Sequence, residues 1–227
     1  MNSRTIVRVI VSKMSAVAHH IPLLRTWHNS GVKYWEKRVE RYGARSVLNL
    51  GHSESEYQKV TEKQKAEIYP YFRKMLNGNE QVVLDFGCGP GRFTGDLAAM
   101  IRGKAIGIDP VQRLLLLAEM AENVEFRTMM QGVIPIADNS ADAVWVCLVL
   151  GGIEASILTH TVKEIVRVLK AGGLLFLVEN TSDKSSGSHW KFRTCNEYME
   201  MFPLIHLVHL HDYDDLGERI SIIAGRK

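Results

Sequence analysis

The chain has 227 residues, 46% of them hydrophobic, enough to bury one substantial core with appendages. A net charge of +3 is too mild to call for nucleic acid, and no apolar run reaches membrane-spanning length. Three scattered cysteines, Cys88, Cys147 and Cys195, show neither metal nor disulfide spacing, which suits a reducing compartment and gives a cytoplasmic expectation.

The first 35 residues contain no acid, while Arg4, Arg8, Lys13, Arg25 and Lys33 are basic. Ile6, Val9, Ile10, Met14 and Val17 fall on one helical face, so this stretch is read as an amphipathic leader helix, with an organelle-targeting peptide as the alternative. After Gly31 a second helix is expected over 33–42, with Trp35 and Val39 on one face and Gly43 as its stop. Residues 45–55 read as irregular. Thr61 then heads a helix into Leu76, with Pro70 expected to kink or break it. Residues 1–80 are thus expected to form a helical leader and lid, and 81–227 the core.

The core opens on a short strand over 81–84, then Asp85, then a turn in which Gly87, Gly89 and Gly91 alternate. Glycine tolerates positive φ and close backbone approach, so such a turn can press its amides against a ligand. Phe93, Leu97, Ala98 and Ile101 then recur on one helical face, and a second strand, 105–108, ends in another acid, Asp109. A dinucleotide-binding turn needs G-x-G-x-x-G; here the third glycine comes one residue early and Arg92 stands where the motif wants glycine.

Downstream, a helix is expected over 111–122, strands over 124–128 and 143–148, a helix over 158–169 and a fifth strand over 174–178. Strands alternating with helices give a parallel sheet covered on both faces. Thr194 with Glu197 reads as a capping box for a helix over 196–202. The tail, 204–211 and 219–224 around a turn at 214–217, reads as a closing antiparallel hairpin, with His209 and His211 on one face. A metal site built on His209-Leu210-His211 lacks a third ligand in sequence, and no metal is expected.

The element D-F-G-C-G-P-G-R-F followed by I-G-I-D-P closely resembles the first two motifs of class I S-adenosylmethionine-dependent methyltransferases, and the order of elements over 81–227 agrees. The resemblance implies an α/β fold: a seven-stranded sheet of five parallel βα steps plus a C-terminal antiparallel hairpin. It also implies S-adenosylmethionine as cofactor. The turn of Gly87, Cys88, Gly89 and Gly91 would approach the methionine part, Asp85 would lie near its amino group, and Asp109, followed by Pro110, would accept from both ribose hydroxyls. Where relatives carry an acid for adenine this chain has Met130 and then Gln131. Cys147 and Leu148 would line the methionine end, with Cys147 a buried apolar residue and not a nucleophile.

Methyl transfer needs mainly an in-line arrangement, helped by a base when the nucleophile is a hydroxyl. His189, in the loop after the fifth strand, and His52, in the lid, are the candidate bases. Trp190, Arg193, Tyr57 and Gly151 complete the expected acceptor side, with Gly151-Gly152 opening room for substrate. A small-molecule acceptor methylated at oxygen is expected, since no basic stripe and no Asn/Asp-Pro-Pro-Tyr motif appears. A macromolecular acceptor and a catalytically silent cofactor-binding subunit are the rivals, an oxidoreductase is disfavoured by the glycine spacing, and a homodimer is left open.

Overall fold

A computed structural model describes residues 31–130 and 132–227. The leader before Gly31 lies outside the described residues, as does Gln131, an expected cofactor residue. The seven strands are β1 (Val82–Phe86), β2 (Lys104–Asp109), β3 (Val124–Thr128), β4 (Ala141–Cys147), β5 (Leu169–Asn180), β6 (Val208–Asp215) and β7 (Glu218–Arg226). They form one sheet in the order β3-β2-β1-β4-β5-β7-β6. The first five run parallel, β7 lies antiparallel to β5, and β6 antiparallel to β7, as the sequence reading expects.

Alternate residues of the central strands feed two cores. On one face α2 (Tyr57–Met75) and α3 (Thr94–Ile101) bring Ile68, Phe72, Phe93 and Leu97 against Val83, Trp145 and Phe176. On the other, α5 (Ala155–Val168) and α6 (Cys195–Glu200) bring Leu158, Ile165 and Tyr198 against Leu84, Val144 and Leu175. A smaller cluster joins Val39 of α1 (Gly31–Tyr42) to Val111 and to Leu114 of α4 (Gln112–Leu115). That contact sets α1 beside the carboxyl ends of β1 and β2.

Several boundaries depart from the sequence reading. The helix expected from Thr61 starts at Tyr57, behind a capping box in which Ser53 and Glu56 bond reciprocally. It runs through Pro70 unbroken. Pro70 and Ala66, the residue four positions back whose carbonyl loses its partner, both face solvent, while Ile68, Tyr69 and Phe72 anchor the helix to the sheet. Conversely, the helix expected over 111–122 stops after one turn at Leu115. Only Leu114 is buried there; Leu116, Leu117 and Met120 are exposed, so no continuous apolar face holds further turns. A register shift between His209 and His211 puts them on opposite faces: His209 bonds Asp212, and His211 stacks on Tyr71 of α2. No helix among the described residues is long and apolar enough to cross a membrane.

Candidate functional site

In an open sheet of this order the strand order reverses between β1 and β4, and a crevice opens beyond their carboxyl ends. The main cavity lies there, about 1080 Å³ of space counted to its open mouth. Its floor is the glycine turn, with Asp85, Gly87, Cys88 and Gly89; Asp109, Pro110 and Val111 form one wall, and Cys147, Leu148 and Val149 another. Val32 and Trp35 of α1 line it as well, along with Ile153 and Glu154 before α5.

The turn is built by its glycines. Gly87 and Gly89 adopt φ of 70° and 55°, and a β-carbon on Gly87 would run into the Val149 side chain. The two acids are held at its ends. Asp85 is buried, and its Oδ2 accepts from the Thr94 hydroxyl at 2.6 Å. Burial pushes its carboxyl up to about 7, with nearby Asp109 adding to the rise and Thr94 and Arg92 opposing it. Asp109 accepts the Gly89 N–H at 3.0 Å and the Val111 N–H at 2.8 Å. Burial still raises it to about 6 against those two bonds. Each oxygen keeps a further acceptor site, so the pair offers buried carboxylate edges to a polar ligand.

Three features of the site escaped the sequence reading. Leu148 sits at φ 56°, an outlier for a bulky side chain, directly after β4. Glu179, at the end of β5, supports the turn that follows: its Oε1 accepts the Val149 and Leu150 N–H groups at 3.0 and 2.7 Å. Burial pushes Glu179 up to about 7. An acid closing an apolar strand, as Asp85 and Asp109 do, was the signal available for it. Arg92 lines the same cavity, with no sequence cue beyond its place after the third glycine.

Eight of the expected cofactor residues line the cavity: Asp85, Gly87, Cys88, Gly89, Asp109, Pro110, Cys147 and Leu148. Gly91 does not; its open side meets Phe126 and Ala118, so it serves close packing behind the turn. Met130 is 58% exposed and lies off the cavity, which Met129 lines instead. The Met129 N–H bonds the Asp109 carbonyl, continuing the strand pairing for one residue and turning Met129 inward. Cys147 packs against the apolar cluster under α2, and burial pushes its thiol well above its usual range, consistent with a packing residue.

The acceptor-side expectations fare differently. Gly151 does not open room: a β-carbon there would collide with the Trp190 indole, which occupies the space. A second hollow, bounded by Tyr34, His189 and Trp190, shares Gly31, Trp35, Gly152, Ile153 and Glu154 with the main cavity. His189 is exposed and stacks on Tyr34 with ring centroids 3.8 Å apart. Arg193 is buried, but it donates to the Leu150 and Lys191 carbonyls and lines neither space. Tyr57 lies outside both, with the Arg92 guanidinium 6.0 Å from its ring. His52 is engaged elsewhere, bonding Asp215 at 2.6 Å through Nε2. Away from both spaces, Cys195, His209 and Asp212 bring three metal-capable atoms within 4.8 Å of one another.

Residues 83–173 match the family model described as methyltransferase domain. An uncharacterized methyltransferase of Mycobacterium tuberculosis (strain H37Rv) is 35% identical over 108 residues, which cover 46% of this chain and 42% of that protein. The chain therefore spans under half the length of that relative. The thiol S-methyltransferase TMT1B of Rattus norvegicus is 25% identical over 185 residues, 78% of this chain and 70% of that one. Among solved structures, a DhpI–SAH complex superposes with a TM-score of 0.64 at 16% identity, covering 90% of this chain and 96% of the other. The chain resembles class I S-adenosylmethionine-dependent methyltransferases in both motif and fold.

Proposed function

We propose, from that resemblance, that this chain is an S-adenosylmethionine-dependent methyltransferase acting on a small, mostly apolar acceptor. One observation carries the reading: a glycine turn flanked by two buried carboxyls, Asp85 and Asp109, at the switch-point cavity. The residues present fit the cofactor. Gly87 and Gly89 leave the backbone bare for close approach, and buried acceptor oxygens stand at both ends of the turn. Asp109 would hold the ribose hydroxyls, Asp85 the amino group, and Val111, Leu114 and Met129 would pack the adenine. When bound, the cofactor supplies a methyl carbon already activated by a sulfonium.

The chain's own contribution is then to bind, align and exclude water. Trp35 and Val32 roof the cavity, and Val149 and Ile153 give it an apolar wall suited to an apolar acceptor. His189, in the adjoining hollow, is the candidate proton acceptor for a hydroxyl. Transfer to sulfur is a second reading. No histidine is among the described residues lining the main cavity, and a thiol, with a pKa of about 8.5 in cysteine, is far more acidic than an alcohol and needs less help from a base. The similarity to a thiol S-methyltransferase over 78% of this chain supports it.

Calorimetry should show S-adenosylmethionine binding and no NADPH binding, and Asp109→Ala should weaken the former by about 1–3 kcal/mol. Methyl transfer to a panel of phenols, alkanethiols and arylthiols, set beside total RNA and protein, then identifies the acceptor. NADPH binding, or an unchanged Asp109→Ala affinity, overturns the cofactor reading. Transfer to RNA or protein alone overturns the small-molecule one.

A further inference from the structure

We propose that Arg92 is an anion receptor inside the main cavity and that it takes a carboxylate of the molecule bound there. The inference rests on the proposed function, because it takes the cavity as the binding site for cofactor and acceptor. Arg92 leaves the glycine turn and lines the cavity. Its Nε donates to the Thr61 hydroxyl at 3.1 Å and its Nη2 to the Gln64 Oε1, both neutral groups on α2. Phe93 lies under the guanidinium, 4.8 Å from ring centre to Cζ.

No carboxylate lies within ion-pair distance of Arg92 among the described residues; the same holds for Arg38, Arg45, Arg193 and Arg219, but these donate to protein oxygens away from the main cavity, which Arg92 lines. Asp85 is near enough to be felt electrostatically, but it is bonded to Thr94. Nη1 has no protein partner among the described residues. A guanidinium keeps its charge in any protein setting, and a mostly enclosed one without a counter-ion is costly unless a ligand completes it. Its planar fork, anchored along one edge by Thr61 and Gln64, presents the other edge in the geometry that suits a carboxylate.

The charge around it narrows the ligand class. Asp85 and Asp109 share this cavity, so a dianionic phosphate would meet like charge. A single carboxylate, particularly one belonging to an amino-acid zwitterion whose ammonium lies toward Asp85, meets complementary charge at both ends. Such a group belongs either to the amino-acid end of the cofactor or to an acceptor carrying its own carboxylate.

The test is titration calorimetry on the full chain with S-adenosylmethionine, decarboxylated S-adenosylmethionine and, on cofactor-loaded protein, benzoate. If the carboxylate is the cofactor's, the parent prefers the intact nucleoside by about tenfold to a hundredfold. Arg92→Met then removes the preference while leaving the decarboxylated affinity in place, and Arg92→Lys keeps part of it. If the carboxylate is the acceptor's, both nucleosides bind alike throughout, and benzoate binding is lost in Arg92→Met. Gln64→Glu, which gives Arg92 an internal carboxylate, should lower the same affinity with the arginine intact, and serves if Arg92→Met fails to fold.

A merely structural arginine would weaken both nucleosides equally, and that result overturns the proposal. So does a preference that survives Arg92→Met and Gln64→Glu, or a parent that neither distinguishes the nucleosides nor binds benzoate. A parent that binds neither nucleoside overturns the proposed function itself, and this inference with it.

Discussion

Asp85 keeps its proton to about pH 7, against 3.8 for an ordinary aspartate, because burial penalises the charge more than Thr94 and Arg92 favour it. Between those two values the folded protein binds more protons than the unfolded chain. This residue's contribution to stability is therefore full below about pH 4 and lost as the pH rises through 7. Ligand binding has the opposite sense. A cationic group held against Asp85 favours the ionised carboxyl, so binding at pH 6 should release a proton. S-adenosylmethionine affinity should climb from pH 5.5 and level off above 7. Calorimetry in two buffers of different ionisation enthalpy measures the release directly. Asp85→Asn should leave only the smaller slope below pH 6 that Asp109 supplies. An affinity in the parent that does not change with pH would place the cation elsewhere.

Between elements, the segment before α2 and the β6–β7 hairpin are tied by one pair, His52 Nε2 to Asp215 Oδ1 at 2.6 Å, with both side chains about nine-tenths buried. Leu216, at the hairpin tip, comes close to Gly51 and reinforces the tie. Sequence separation hid this pairing, since the two residues lie 163 positions apart. His52→Ala should leave Asp215 buried without its partner, costing about 1–3 kcal/mol. The melting temperature should fall while cofactor affinity stays near that of the parent. A variant that melts like the parent but loses turnover would return His52 to the chemistry. The Trp190 loop follows the same logic at the other side of the cavity. Gly151 and Gly152 are small because an indole packs on them, and a bare glycine pair in sequence cannot say whether a ligand or a side chain fills the gap.

Across the whole molecule, Trp145 is where the central sheet meets its helical cover. It is fully buried on β4, stacked on Phe176 at 5.1 Å and met edge-on by Phe72 of α2. Its indole N–H has no partner among the described residues. Trp145→Ala should cost about 3–5 kcal/mol in denaturant unfolding, through lost burial plus the cavity left behind. Trp145→Phe should cost clearly less, because it keeps most of the packing and removes an unpaired donor. Equal losses for the two variants would mean that ring size, and not removal of the side chain, governs the site.

The parallel sheet, its closing hairpin, the glycine turn and the acids at the ends of β1 and β2 were all legible in the amino-acid order. Each depends on local signals: apolar runs, glycine spacing and a carboxylate at a strand end. The spatial order of the strands, β3-β2-β1-β4-β5-β7-β6, came only from the structure. Other matters were decided only by the tertiary structure. Pro70 is tolerated because its exposed side lets water serve the carbonyl it leaves unpaired. The helix after Asp109 is cut to one turn because Leu116, Leu117 and Met120 find no apolar surface to cover. Met129 takes the place expected of Met130 because one more backbone bond extends the pairing with β2. Arg92, Glu179 and the His52–Asp215 tie owe their roles to partners far away in sequence. A side chain's partners depend on which distant elements surround it, and periodicity along the chain carries no record of that.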